Sequence, residues 1–235
     1  MKRFCTADLH LNHANICVYD MRPCLRAADL APDWYASNRE GKPVWASKEA
    51  ARECAERMNN GLIANANMRI KPEDQVIHVG DFAARIGMAA PGIKVKAPEL
   101  LARLNGRWAL IEGNHDKNND VKPTCRSMTV QIGGFRAYVR HVPLGNPDFD
   151  TYGNLRVAPE EFFLFCRRQF DFVICGHVHN AWRVKQCQGL WHINVGVSVQ
   201  RYMPIDDQEV LEQFAAVKRS SRNETPDPVA PDLSA

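Results

Sequence analysis

Seven side chains able to hold a divalent cation recur in five short polar segments of this chain: Asp8 with His10, then Asp81, Asn114, His141, and finally His177 with His179. In an extended backbone residues i and i+2 share a side. Asp8-Leu9-His10 and His177-Val178-His179 are therefore each expected to aim two ligands at one point. Gly80, Gly113 and Gly176 each precede a ligand and let the backbone turn sharply beside an ion. Imidazole, carboxylate and amide donors, with no thiol among them, suit two borderline or hard divalent ions and argue against a structural zinc site. A shared carboxylate would hold such a pair roughly 3.5–4 Å apart.

The elements that must position these groups are short apolar runs, each stopping where the chemistry begins. Phe4 to Ala7 runs into Asp8, Gln75 to Val79 stops at Gly80-Asp81, Trp108 to Ile111 at Glu112-Gly113-Asn114-His115-Asp116, and Phe172 to Cys175 at Gly176-His177. Residues 128–132 and 135–140 flank Gly133-Gly134 as a hairpin whose second strand ends at His141. Trp182 to Val184 and Leu190 to Val199 form a second expected hairpin. Between the strands, Ser47 is placed to cap a helix whose apolar face carries Ala51, Cys54, Ala55, Met58, Leu62 and Ile63 and which ends before Lys71-Pro72. Further helices are expected over Glu99–Leu104, over Pro159–Phe170 with Phe162, Phe163, Phe165 and Cys166 inward, and over 206–218. Strands mixed with helices indicate an α/β layered sandwich with some antiparallel pairing.

The order D-x-H, G-D, G-N-H-D, H, G-H-x-H resembles the calcineurin-like metallophosphoesterases over residues 4 to about 205. Ala7-Asp8-Leu9-His10 with His13-Ala14-Asn15-Ile16, Arg22-Pro23 and His78-Val79-Gly80-Asp81-Phe82 look like the small stand-alone phosphoesterases of bacteria and their phages. The resemblance implies two mixed β-sheets flanked by helices. It also implies that Asp8, His10 and His179 bind one metal, Asn114, His141 and His177 the other, and Asp81 bridges them. His115 would then sit over the substrate phosphate, stabilising charge and protonating the leaving oxygen. Two divalent ions are the implied cofactor, Mn first, with Fe, Zn, Ni, Co or Mg as alternatives; they would generate a bridging hydroxide for in-line attack. A phosphodiester such as a nucleotide or cyclic nucleotide is the expected substrate, with phosphomonoester hydrolysis or a non-catalytic scaffold as the alternatives. Where phosphoprotein phosphatases carry G-D-x-x-D-R-G, this chain continues Phe82-Ala83-Ala84-Arg85, which disfavours that activity and leaves the partner of His115 unassigned.

Other polar residues have plainer readings. His78 and His192 fall outside the motifs and are expected in the core, Asn12 and Asn15 as turn formers, and Asp116 as an acceptor of backbone N–H groups in its turn. His13 and Arg22 are candidate substrate contacts. The 24–46 segment, read as an insertion near the active site, mixes Trp34, Tyr35 and Trp45 with Arg26, Arg39 and Lys42. Trp34 and Trp45 could wall the substrate's non-phosphate part, or the segment could pack on the core.

Composition limits the remaining classes. Hydrophobic and charged fractions of 45% and 24% are ordinary for a globular chain, and 235 residues allow one domain, taken as 1–218, with a Ser/Asn/Pro/Asp-rich disordered tail over 219–235. A net charge of +3 is far from the basic stripe of a dedicated duplex-DNA binder. No run reaches the roughly 20 apolar residues of a membrane span, and no signal-like segment follows Met1-Lys2-Arg3. Eight cysteines without a C-x-x-C pair indicate free thiols and a cytoplasmic location.

Overall fold

The computed structural model describes residues 1–32, 42–85, 87–144, 160–187 and 189–223. The side chains of Trp34, Tyr35, Arg39, Phe162 and Phe163 lie outside the described residues, as do Pro159 and the tail from 224 onward.

Two mixed sheets form the centre. The first places β3 (Arg107–Leu110), β2 (Gln75–His78) and β1 (Arg3–Thr6) side by side in parallel, with β9 (Ile205–Asp206) antiparallel on β1. In the second, β5 (Phe135–Arg140), β6 (Phe172–Cys175) and β8 (Leu190–Asn194) run parallel. Antiparallel β4 (Ser127–Ile132) and β7 (Val184–Cys187) form its edges.

The strand period of two sorts the core into layers. Cys5, Ile77, Ile111, Val139, Phe172, Ile174 and Ile193 face one another between the sheets. Their neighbours Phe4, Val76 and Leu110 turn outward onto Met58, Leu62 and Ile63 of the long helix α2 (Lys48–Arg69). On the other side Val173, Cys175 and Leu190 meet Cys166 of α4 (Glu160–Gln169), while Val210 and Phe214 of α5 (Asp207–Asn223) join the inter-sheet core. The Ser47 Oγ accepts the Ala50 N–H at 3.0 Å, so the cap read from the sequence starts α2.

Several boundaries differ from expectation. The helix expected over Glu99–Leu104 is α3 at Ala97–Leu101, entered through Pro98. Leu164 and Phe165 are 41% and 53% exposed; α4 turns Cys166 inward as expected but leaves Phe165 outside. The last hairpin is β7 with β8, so Lys185 to Cys187 pair as strand, whereas residues 195–199 leave the hairpin and Gly196 bridges to Ala7 instead. Asn194 ends β8 by folding back: its Nδ2 donates to the carbonyls of His179 and Trp182, and its Oδ1 accepts the Gly196 N–H. α5 runs on to Asn223, beyond the expected end at 218. A short helix α1 (Ala14–Tyr19) occupies what reads as a polar loop.

Parallel strands deliver all their C-terminal ends to one edge, and here two sheets do so at the same place. Ala7, just past β1, takes an N–H···O bond to Val195 and accepts one from Val197, both 3.1 Å, while the Gly176 N–H donates to His141 O at 3.0 Å. The loops after β1, β2, β3, β5 and β6 therefore converge.

Candidate metal centre

The loops that follow these strands are not extended. Asp8, His10, Asp81, His177 and His179 all adopt left-handed backbone conformations, with φ of 57°, 48°, 59°, 71° and 46°. The expectation that Asp8/His10 and His177/His179 pair through an extended segment is thus corrected: tight left-handed turns aim them. Each such non-glycine residue costs about 1–3 kcal/mol, strain of the kind that accumulates where geometry serves a site.

The turns gather the ligands into two groups: Asp8, His10 and His179 in one, and Asp81, His141 and His177 in the other. Within each group the donor atoms lie within 4.8 Å of one another. Asn114 joins the second group, its Oδ1 lying 3.0 Å from His141 Nε2 and 2.9 Å from His177 Nδ1. Asp81 Oδ2 stands 3.5 Å from His10 Nε2 and 3.2 Å from His141 Nε2, on the seam between the groups. All seven sequence-derived ligands therefore meet.

Their surroundings fit cations. Asp81 Oδ2 and both ring nitrogens of His10 are buried without a hydrogen-bond partner. Such orphaned polar atoms are costly, and a cation would take the lone pairs of the carboxylate oxygen and of one ring nitrogen. Burial, first among the causes, holds His10 well below the usual imidazole range and His177 at about 3, the neutral form that a ligating imidazole needs. Burial likewise pushes the Asp8 carboxyl up, against the pull of His179 and His141. At His141 burial acts downward but is outweighed by the charge of Asp81 3.2 Å away, by Asp8 and by the hydrogen bond to Val79 O, raising the ring to about 9.

Outer contacts fix the rings. His141 Nδ1 donates to Val79 O at 2.8 Å, which turns Nε2 and its lone pair toward Asp81 and Asn114. His179 Nδ1 pairs with Asp20 Oδ2 at 3.0 Å; the same oxygen accepts from Ser198 Oγ at 2.6 Å and lies 3.4 Å from Arg22 Nη2. Asp20 carries no motif signal, since its partner is 159 residues away, and sequence reasoning missed it. Asp116 does what its turn position suggested and more: Oδ2 accepts the N–H groups of Asp81 and Gly113, and Oδ1 that of Phe82, tying two ligand loops together.

His115 stands beside the centre, its ring 5.0 Å from that of His10, and its backbone N–H donates to Asp81 Oδ1 at 2.7 Å. His13 is buried next to it, 5.8 Å from His10 and 6.3 Å from His115 between centroids. Arg22, expected to face a substrate phosphate, is instead buried and donates Nη1 to Leu9 O and Nη2 to Asp8 O, each at 2.8 Å, bracing the first ligand loop from beneath. Trp45 also has a partner within the fold: its Nε1–H donates to Asn15 Oδ1 at 2.8 Å and its ring packs on the alanine cluster of α1 and α2. His78 and His192 are core residues, the first against Phe82 and Trp108, the second accepting the Leu144 N–H.

Similarity to known proteins agrees with this arrangement. The profile of the calcineurin-like phosphoesterase superfamily domain matches residues 59–212, which include every candidate ligand after the first loop. The chain is 30% identical over 209 residues to the uncharacterized protein MJ1445 of Methanocaldococcus jannaschii, covering 87% of this chain and 86% of that one. Its fold is similar to that of AQ665 from Aquifex aeolicus, a protein of unknown function, with a TM-score of 0.57 and 21% identity over 90% of this chain and 98% of that one. The chain belongs to the calcineurin-like phosphoesterase superfamily.

Proposed function

We propose that the protein is a dinuclear metal-dependent phosphoesterase acting on a phosphodiester such as a nucleotide or cyclic nucleotide. The observation that carries the dinuclear reading is the buried, unpartnered Asp81 Oδ2 between the two ligand groups. Asp8, His10 and His179 would hold one ion, Asn114, His141 and His177 the other, with Asp81 common to both. When bound, two divalent ions of the Mn class supply a water of lowered pKa and offset phosphoryl charge. Around them the chain's own residues orient and protonate. Val79 O and Asp20 keep His141 and His179 presenting one nitrogen inward. Asp116 and the His115 N–H hold the Asp81 loop against the Asn114 loop. The half-buried His115 ring is the group placed to give a proton to the leaving oxygen.

A diester is favoured over a monoester on charge. A monoester dianion calls for an additional cationic contact, and Arg22, the guanidinium buried beside the site, is turned to the Asp8 and Leu9 carbonyls.

The test is Asp81→Asn, assayed with chromogenic mono- and diesters across Mn, Mg, Ni, Zn and Co. Activity should vanish with both ions weakened, whereas His141→Ala should mainly empty one site. A fully active Asp81→Asn protein removes the two-metal scheme, and faster monoester than diester cleavage reverses the substrate assignment.

A further inference from the structure

A second, chemically different donor set lies outside the centre just described. Cys17 of α1, Cys24 in the loop after it, and Cys54 of α2 bring their three Sγ atoms within 4.8 Å of one another. Cys17 Sγ is 3.5 Å from Cys24 Sγ and 3.5 Å from the thioether of Met58, which sits one helical turn beyond Cys54 on the same face of α2. Three thiols and a thioether thus face one point.

The arrangement is more than apolar packing of small residues. Among the described residues the other five cysteines form no such group. Cys17 and Cys54 are fully buried, but Cys24 is half-buried and, with Met58, lines a cavity of about 300 Å³ bordered by Arg22, Arg57 and Tyr202. An ion therefore has an approach. Arg22 Nη1 lies 3.1 Å from Met58 Sδ, and Arg57 Nε donates to Cys24 O at 3.2 Å, so two guanidinium groups flank the sulfur cluster and offset negative charge there.

We propose that Cys17, Cys24 and Cys54, with Met58 as a fourth donor, form a site for a single thiophilic d10 cation of the Cu(I) class. Three thiolates around a metal at about 2.3 Å would place their sulfurs about 3.8–4.0 Å apart. The present spacing of 3.5 Å for one pair and under 4.8 Å for all needs shifts of about 1 Å or less, within side-chain rotation. The thioether selects among soft ions: thiolate with thioether suits Cu(I), whereas imidazole with carboxylate suits the harder divalent ions of the other centre.

Cu(I) titrated anaerobically into the reduced full-length protein, against a competing Cu(I) chelator, tests the site. One equivalent should bind with ultraviolet thiolate-to-copper charge-transfer absorption, a signature that the Asp/His centre cannot produce. Cys24→Ser, at a half-exposed position, should keep the melting temperature and the metal content of the Asp/His centre. It should nevertheless weaken Cu(I) binding by more than the roughly 10–100-fold typical of losing an outer-shell partner. Cys54→Ala, a core position, should weaken Cu(I) binding alike whatever its effect on the melting temperature, and Cys125→Ser should leave Cu(I) binding unchanged. Absence of the charge-transfer band at one equivalent, or a band that survives both Cys24→Ser and Cys54→Ala, overturns the assignment.

Discussion

Asp20→Asn isolates the one interaction that the motifs do not announce. In the wild-type protein Asp20 Oδ2 accepts from Ser198 Oγ at 2.6 Å and pairs with His179 Nδ1 at 3.0 Å, while Arg22 Nη2 stands 3.4 Å away. With Nδ1 occupied by the proton it gives to Asp20, His179 offers Nε2 as its lone pair. Asparagine keeps the volume, and its amide oxygen in place of Oδ2 still faces Ser198, Arg22 and His179 Nδ1, but the carboxylate charge is gone. The charge-assisted Nδ1–H bond becomes an ordinary one, so the imidazole is held less firmly with Nε2 inward and is a less basic donor. Weakening such an outer contact lowers metal affinity by up to about 10–100-fold, or about 1.4–2.7 kcal/mol. A second effect runs the other way. Although burial acts downward, the Asp20 hydrogen bond, followed by the charge of Asp8, raises the His179 pKa, and removing the carboxylate lessens proton competition. Titration calorimetry should therefore be run at alkaline pH, where the ring is neutral in both proteins. One ion should bind more weakly and the ion held by Asn114, His141 and His177 should be little affected. Unchanged affinity at both sites, or equal loss at both with a lowered melting temperature, would refute the orienting role.

Three other outcomes follow from the same geometry. His141 is protonated below about 9 in the metal-free protein and must be neutral to ligate, so metal binding near neutral pH should release about one proton from it. Affinity should rise with pH until about 9, a dependence that binding heats in buffers of different ionisation enthalpy will report. His115→Ala should retain both ions yet lose kcat by roughly 100-fold or more, with less loss for leaving groups that need no proton; equal loss for good and poor leaving groups would leave only charge stabilisation. Gly176→Ala would place a Cβ 2.6 Å from the Ala7 Cβ and 2.8 Å from Asp8 Oδ2, where the segments just past β1 and β6 approach each other. It should cost about 1–3 kcal/mol by overpacking and lower the thermal midpoint.

The local rules were legible because each needs only a few neighbouring residues. Ser47 three residues before Ala50, the Gly133-Gly134 turn between alternating runs, and apolar runs stopping at glycine define α2, the β4–β5 hairpin and the strand ends. α1 was missed because its six residues, Ala14–Tyr19, are too short to show a period and its N-cap, His13, makes no side-chain capping bond. Phe165 was misassigned because α4 has one strongly buried position, Cys166, among its described side chains; a short amphipathic stretch does not by itself choose which side faces Val173 and Leu190.

The seven side chains that the structure brings together as candidate ligands were likewise named by motif order and residue type. Their aim was not: left-handed turns at Asp8, His10, Asp81, His177 and His179 arise because two sheets join through Ala7 and Val195 and crowd five loops into one edge. The same long-range closure put Asp20 on His179, turned Arg22 away from the expected phosphate toward the Asp8 and Leu9 carbonyls, and brought three cysteines scattered at 17, 24 and 54 within 4.8 Å. Chain order records backbone propensity and the chemistry of each side chain. Which distant side chains share a hydrogen bond or a cation is decided only when burial of the inter-sheet core and of the α2 face selects one packing, because that packing sets the distances.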